Sequence, residues 1–395
     1  MSRAIVRRAT MDDIERVMSF IHHHWRADHI LSRDRTLVEF QHVHPDTGDV
    51  DIVIAERPGD TDLIGMLGFI RSSRYDPALR DQDAVFLALW NVRPDANEGP
   101  LGLRLHHHVA SLTSDCAHAV NGINDAVAPI YAAMGYTVTA LTHVAMVNTA
   151  IKSTMLREGH VETPDSLTPS ERATLHAVTC DELRDIASPL SSTMQHSQPA
   201  RSAVYFAERY GAHPTYRYEI LRAVVQDEDR ALMAIREDRH GGATALRLVD
   251  FRGDVSCLPA IAPALQSIIR ERNAEYLDAY AVGIDDATWQ AAGFHIVDPD
   301  GPLIVPNYFS PFERRNVSIT CAYMPADKPW LIMKADGDQD RPNVPASPGS
   351  AETSSASVMV HSKSRAGSCS SAARSALELD DCGLSSSRMC RPPTG

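Results

Sequence analysis

Residues 84–136 constrain the fold more than any other part of this chain. Their pattern predicts a strand, a tight turn, a helix and a second strand in direct succession. Residues 84–92 form an apolar run in which Asn91 is the single polar residue, and such a run is typical of a buried strand. A turn rich in proline and glycine follows at 93–102, and a helix is expected from about 103 to 112. The next strand is expected near 118–123, so the stretch favours an α/β fold.

The turn at 93–102 is a candidate site for a phosphate group. A helix that starts after a glycine-bearing turn presents free backbone N–H groups, and its dipole favours negative charge there. Any strand-to-helix connection also favours such a turn, so the turn alone decides nothing. A further helix follows, which Asn124 or Asp125 can cap and which Gly135 can end in the left-handed conformation.

Two motifs in this stretch together resemble the GNAT (GCN5-related N-acetyltransferase) superfamily. Val92-x-Pro94 ends the first strand, and Tyr131-x-x-x-Gly135-Tyr136 closes the later helix. In that superfamily a strand ends in Val-x-Pro, and an Arg/Gln-x-x-Gly-x-Gly/Ala turn holds the CoA pyrophosphate. A later helix carries Tyr-x-x-x-Gly-Phe/Tyr. The resemblance covers about residues 4–148.

The resemblance implies that the chain binds acetyl-CoA as acyl donor. The turn departs from the family pattern, because Asn97 stands where Arg or Gln is usual and Pro100 replaces the first glycine, which removes a backbone donor. Gly99 supplies flexibility one residue earlier, whereas Glu98 places a negative charge near the phosphates and should weaken binding. The predicted donor-binding residues are Val92, Pro94, Asn97, Glu98, Gly99, Leu101, Gly102, Leu103 and Asn124.

The resemblance also implies direct attack of an amine on the thioester, with Tyr131 as the catalytic residue that gives a proton to the leaving thiolate. A phenol with a reference pKa of about 10 is protonated at neutral pH. The first strand should splay at 91–92, where a backbone N–H can polarise the thioester carbonyl. Asp81, Asp83, His29 or a water chain could take the proton of the amine, and the sequence does not choose among them. The alternative for Tyr131 is a half-buried core aromatic.

The segment 25–34 follows a predicted first helix, and in the GNAT arrangement this segment lies over the acceptor. Trp25, His29 and Arg33 are therefore candidate substrate-binding residues. The alternative is a solvated corner between helices that Trp25 anchors.

Composition limits the classes of partner. The 395 residues carry a formal charge of -13, which argues against a nucleic-acid groove. No apolar run approaches the roughly 20 residues that span a bilayer. The seven scattered cysteines and the absence of a secretory pattern favour the cytoplasm. The histidine runs 22–24 and 106–108 fall on predicted helices, where consecutive side chains diverge, so we expect no metal site.

The second half of the chain repeats the predicted element order of the first. Gly293 corresponds to Gly135, and Trp289 stands where the first copy has Tyr131, so the second copy is expected to have lost its chemistry. The alternative is an ordinary α/β domain and a chance likeness. The prediction is therefore tandem GNAT-like domains, each a mixed, mostly antiparallel sheet flanked by helices. The predicted divisions are 1–150 (donor-binding domain), 151–170 (linker), 171–343 (degenerate domain) and 344–395 (disordered tail).

These predictions leave two classes of function open. The first is an N-acetyltransferase that acts on a small amine, for which an amino sugar carried on a nucleotide is one candidate. The second is a catalytically inactive module that binds a sugar or a protein through the aromatic residues at 205–218. The segments 306–315 and 334–343, together with His29, Arg33 and the aromatic residues at 205–218, also resemble tandem acetyltransferase-like proteins found with bacterial surface-polysaccharide biosynthesis. The oligomeric state is not predicted.

Overall fold

The computed structural model describes residues 3–96, 98–156, 172–185, 197–309, 311–338 and 340. Most of the predicted linker and all of the predicted tail lie outside these residues. Among the described helices, none has the length and apolar character needed to cross a lipid bilayer.

The first sheet has seven strands. In chain order they are β1 (Ile5–Arg8), β2 (Ile52–Glu56), β3 (Leu63–Arg71), β4 (Ala84–Val92), β5 (Ala117–Ile123), β6 (Thr137–Ala140) and β16 (Thr320–Met324). Their spatial order is β1-β2-β3-β4-β5-β16-β6. The pair β4–β5 is parallel, and the other pairs of this sheet are antiparallel.

The second sheet has eight strands in an equivalent order. In chain order they are β7 (Thr142–Val147), β8 (Ala173–Ala177), β9 (Glu219–Val225), β10 (Glu228–His240), β11 (Ala243–Gly253), β12 (Ala274–Val282), β13 (His295–Ile296) and β17 (Ile332–Met333). Seven of them lie in the order β13-β7-β12-β11-β10-β9-β8, and β17 pairs with β12. The pair β11–β12 is parallel. Two short strands, β14 (Tyr308–Phe309) and β15 (Phe312–Glu313), pair with each other.

Each half of the chain supplies one strand to the other half's sheet. Strand β7 follows β6 directly in sequence, yet it pairs with β12 and β13 in the second sheet. Strand β16, from the far end of the described chain, pairs with β5 and β6 in the first sheet. The division into two domains near residue 150 stays a prediction about chain order, and the hydrogen-bonded sheets cross that boundary.

Helices cover the faces of both sheets. They are α1 (Ile14–His24), α2 (Arg35–His42), α3 (Leu101–Leu112), α4 (Ala128–Ala133), α5 (Cys180–Asp185), α6 (Ala203–Phe206), α7 (Leu258–Glu271) and α8 (Asp286–Ala291). Helices α1 and α2 pack on one face of the first sheet, and α3 and α4 pack on the other. Helices α7 and α8 pack on the second sheet. The predicted fold class, mixed and mostly antiparallel sheets flanked by helices, is confirmed.

Local chemistry fixes the starts of α1 and α2. The Asp13 carboxylate accepts from the backbone N–H of Thr10 at 2.9 Å, which forms a capping box ahead of α1. Arg7 of β1 donates two hydrogen bonds to the same carboxylate. Asp34 caps α2 by accepting from the N–H of Leu37 at 2.9 Å. The Asp34 cap therefore marks the end of the loop that connects the two helices.

Residues 331–337 lie where both sheets open. The N–H of Ala335 donates to the carbonyl of Val249 in β11 at 3.0 Å, while β17 pairs with β12, so the segment lies between these two strands. On the other side, the Asn121 amide of β5 donates to two carbonyls of the segment at 3.1 and 2.8 Å. Gly337 packs against Phe86 of β4. One stretch of backbone therefore contacts the parallel pair of each sheet.

We predict that Asn121→Ala lowers the free energy of unfolding by about 1–3 kcal/mol, because the buried carbonyls of Met333 and Asp336 lose their donor. Chemical denaturation monitored by circular dichroism measures the change. The matched control is Gln290→Ala, which removes an exposed amide from α8 and should change stability by no more than about 0.5 kcal/mol. Equal stabilities for the two variants would contradict the role given to Asn121.

Candidate active site

Strands β4 and β5 diverge soon after they pair. Their parallel register joins 84–86 to 117–119 and ends there. Leu89 has a φ of 57°, and the register between β3 and β4 shifts at this point, which marks a β-bulge. The splay therefore begins after Phe86, earlier than the predicted position at 91–92. The gap runs along the second half of β4 toward the turn that precedes α3.

The turn before α3 suits an anion. Gly99 has a φ of 54° and open space around it, which is the left-handed conformation that glycine adopts at little cost. Helix α3 starts at Leu101, and its N-cap residue, Pro100, has no side chain that can accept from the free N–H groups. Because the first N–H groups of a helix have no partner within it, those of Gly102 and Leu103 are available to a phosphate. Asn97 lies outside the described residues.

The other predicted donor-binding residues lie along the same path. Val92 ends β4, and Pro94 begins a short 3₁₀ helix at Pro94–Ala96. Leu101 is buried under α3, whereas Leu103 is 46% exposed on its first turn. Asn124 precedes α4 and accepts from the N–H of Val127 at 3.0 Å, as a capping side chain does.

Glu98 interferes less with an anion than its sequence position implies. One carboxylate oxygen accepts from the backbone N–H of Ala4 at 3.3 Å, and the other lies 3.6 Å from Nε of Arg57. Arg57 also donates to the carbonyl of Ala96 at 2.5 Å, directly before the turn. The guanidinium offsets the negative charge of Glu98 at short range.

Tyr131 lies in a cluster of aromatic side chains beside the splayed strand. Its ring makes edge contacts with Trp90 of β4 at 5.5 Å, with His106 of α3 at 6.3 Å and with Tyr136 at 5.1 Å between centroids. The residue is 1% exposed. Burial raises the pKa of the Tyr131 phenol well above its ordinary value. The hydroxyl is therefore protonated at neutral pH, as a proton donor must be.

The hydrogen-bonding groups around Tyr136 were not predicted from the sequence. The Tyr136 hydroxyl lies 3.1 Å from Nε2 of His106 and 3.3 Å from Nδ1 of His118. Nε2 of His118 lies 2.9 Å from Oγ1 of Thr113. The available signal was the second aromatic of the Tyr-x-x-x-Gly-Phe/Tyr motif, because a buried tyrosine in place of phenylalanine requires a hydrogen-bond partner.

The predicted acceptor segment lies against the end of β4. The Asn91 amide donates to the carbonyl of His24 at 3.3 Å, which joins β4 to the last turn of α1. Trp25 is 42% exposed, and its ring lies 5.8 Å from that of the buried His29. Arg33 donates to the carbonyl of Asp28 at 2.7 Å. Trp25 and His29 are brought together, while Arg33 is held within its own loop.

The structure separates the two aspartates that were candidate bases. Asp83 is buried and accepts from the N–H and the hydroxyl of Ser73 at 2.9 and 2.7 Å. Arg71 lies 3.5 Å from the same carboxylate. Asp81 is exposed on the preceding turn. Asp83 therefore holds the loop in place. His29, Asp81 and water stay candidates for taking the proton of the amine.

The corresponding region of the second half has the same backbone pattern and different chemistry. The N–H of Phe294 donates to the carbonyl of Trp289 at 3.0 Å, as that of Tyr136 does to Tyr131 at 3.1 Å. The turn before α7, however, is filled by Asp254, which accepts from the N–H of Ser256 at 2.9 Å. A carboxylate at this position occupies the place of an anion.

No metal centre accompanies these residues. Both histidine runs lie on helices, at α1 and α3. Across the described part of the chain, no group of three or more His, Cys, Asp or Glu side chains is arranged to hold a metal ion.

Several solved structures of acyltransferases match this chain at low identity. A GCN5-related N-acetyltransferase from Anabaena variabilis is 11% identical, with 81% of this chain and 72% of that chain covered and a TM-score of 0.49. A probable N-acyltransferase from Enterococcus faecalis is 9% identical, with the same coverages and a TM-score of 0.47. N-myristoyltransferase from Saccharomyces cerevisiae is 10% identical, with coverages of 87% and 86% and a TM-score of 0.44. The sequence matches no family model and no curated protein. At these values the likeness carries no conclusion about activity.

Acid should destabilise the aromatic cluster through His106. Burial, together with the nearby His118 and His107, lowers the pKa of His106 to about 4. An unfolded histidine titrates near pH 6.5, so between about pH 6.5 and 4 the unfolded chain binds a proton that the folded chain does not. Stability is therefore lost as the pH falls through this window.

We predict that His106→Gln loses less stability than the wild type between pH 7 and pH 5, measured by urea denaturation at each pH. His107→Gln is the matched control, because that neighbouring side chain is exposed, and it should follow the wild type. Identical pH profiles for His106→Gln and the wild type would contradict the assignment.

Proposed function

We propose that this chain is an acyl-CoA-dependent acyltransferase with its donor site in the first half. The observation that carries the proposal is the splayed β4–β5 pair, which leads to the start of α3, where Pro100 makes no side-chain cap, and which lies beside Tyr131. The equivalent turn of the second half is capped by Asp254. The first half is therefore the better candidate for binding an anionic donor.

Different residues would bind the donor and transfer protons in the proposed reaction. The N–H groups of Gly102 and Leu103 would bind the pyrophosphate of the donor. The thioester supplies an acyl group that is activated toward amines, so the chain needs no nucleophile of its own. As the acceptor nitrogen forms its bond to the acyl carbon, the carbon–sulfur bond breaks. The amine proton leaves to His29, Asp81 or water, and the Tyr131 hydroxyl protonates the thiolate.

We further propose acetyl-CoA as the donor and a small amine as the acceptor, with an amino sugar carried on a nucleotide as one candidate. Trp25 and His29 support the acceptor assignment, because their rings lie together at the edge of β4. An exposed indole offers an apolar face to a sugar ring or an aliphatic amine.

One observation favours the alternative of an inactive binding module. The Trp90 indole lies over Gly102 and beside Tyr131, where a donor would have to pass. The aromatic residues of the second half do not strengthen that alternative. Tyr205, Phe206, Tyr210 and Tyr216 are buried in hydrophobic cores, so their rings offer no face to a sugar.

Isothermal titration with acetyl-CoA tests the donor site. Leu103→Glu places a carboxylate on the exposed first turn of α3 and should weaken binding about tenfold or more, because it repels the phosphates. Ser111→Glu is the matched control: it makes the same change in net charge near the other end of the helix and should bind like the wild type. No binding by the wild type at millimolar acetyl-CoA would reject the acyltransferase proposal.

Tyr131→Phe tests the proton donor, since it keeps the ring and removes the hydroxyl. We expect turnover to fall roughly 10²–10⁴-fold with little change in acetyl-CoA affinity. Release of free thiol with a panel of amines measures turnover, and the panel also identifies the acceptor class. Unchanged turnover would remove Tyr131 from the reaction.

A further inference from the structure

We propose that Trp90 is a gate that closes the donor channel in the free protein and must swing aside before acyl-CoA can reach Tyr131. The inference rests on the proposed function, because it concerns access to the same site. It assigns a specific role to a residue that sequence analysis placed only in an apolar strand.

The backbone aims the Trp90 side chain into the gap. The bulge at Leu89, with its φ of 57°, breaks the alternation of side chains along β4. Trp90 follows immediately and points toward α3 and α4. Its ring lies 5.9 Å from His106 and 5.5 Å from Tyr131, between the two helices.

Gly102 makes room for the closed position. A Cβ atom at residue 102 would lie 3.3 Å from Nε1 of Trp90 and 3.4 Å from Cζ2, tighter than an ordinary contact. The glycine that would bring its N–H to a phosphate is thus the residue on which the indole rests. Donor binding and the closed ring compete for the same surface of α3.

Trp90 is the residue of the aromatic cluster that can rotate away. Tyr131 is 1% exposed, and a thioester sulfur cannot contact it while its neighbours stay in place. Tyr136 is held by hydrogen bonds to His106 and to a second histidine. Trp90 is half-buried, and its indole N–H has no hydrogen-bond partner among the described residues. Rotation of Trp90 out of the cluster therefore breaks packing contacts but no hydrogen bond to a described residue.

The closed ring should reduce donor affinity. When only a fraction of the molecules are open, the apparent dissociation constant rises in inverse proportion to that fraction. Removal of the Trp90 ring should therefore lower the apparent dissociation constant. If the ring instead contacts bound donor, its removal should raise that constant. The sign of the change in affinity therefore distinguishes a gate from a binding contact.

The test is titration of CoA into wild type, Trp90→Ala and Trp90→Phe. We expect Trp90→Ala to bind about tenfold more tightly than the wild type, which corresponds to about 1.4 kcal/mol, with Trp90→Phe between them. Tyr308→Ala, which truncates an exposed aromatic outside the site, should bind like the wild type. Thermal unfolding checks that each variant is folded, and Trp90→Phe retains a ring in case the alanine variant is unstable.

Tryptophan fluorescence follows the ring itself. Movement of the indole from beside Tyr131 should change the emission when CoA is added to the wild type. The change should disappear in Trp90→Phe and persist in Trp25→Phe, which removes the most exposed of the four tryptophans.

The outcomes separate the gate from the donor site. Binding by the wild type together with tighter binding by Trp90→Ala supports both. Equal or weaker binding by Trp90→Ala, with clear binding by the wild type, overturns the gate and leaves the donor site standing. No binding by any variant at millimolar CoA overturns the donor site and the gate together.

Discussion

The buried guanidinium of Arg201 holds together the two carboxylates on which the centre of the molecule depends. It lies 2.9 Å from Asp250 of β11 and 2.5 Å from Asp336, at the end of the segment that contacts both parallel strand pairs. Asp336 also accepts from the N–H of Met333 at 2.8 Å. A buried ion pair is costly to break, because a lone charge then stays without compensation. The segment 331–337 is therefore fixed to the second sheet, and through Asn121 to the first.

This arrangement explains why two splayed strand pairs can coexist in one fold. Splaying parallel strands leaves backbone groups without their neighbours, and buried groups of this kind must find other partners. The segment supplies those partners for β11 and β12 and contacts β4 and β5 near the start of their divergence. The remainder of the gap beside β4 is left to side chains. That is where Trp90 and Tyr131 meet.

Local sequence patterns predicted where strands lie but not which strands pair with each other. The run at 84–92 was predicted with the bounds that the structure has, because it is apolar apart from Asn91 and lies between the charged residues Asp83 and Arg93. The strand exchange was missed, since the pairing of β16 with β5 and β6 joins residues far apart in sequence and no local periodicity encodes it. The left-handed Leu89 was also missed, because a bulky residue with positive φ is held by its surroundings rather than by its own preference. The position of the Trp90 ring follows from that bulge.

The two halves of the chain differ in the side chains at two equivalent positions, the turn before the helix and the buried aromatic residue. In the second half, the Asp254 carboxylate binds the backbone at the turn before α7, and a fully buried Trp289 packs on Phe294. In the first half the N-cap residue of α3 is Pro100, which makes no side-chain cap, and Tyr131 brings a hydroxyl to the same place in the core. A core gains nothing from a phenol that an indole or phenyl ring would not supply, and the hydroxyl adds a cost of desolvation. This cost fits our proposal that Tyr131 acts through its hydroxyl on a molecule that enters past Trp90.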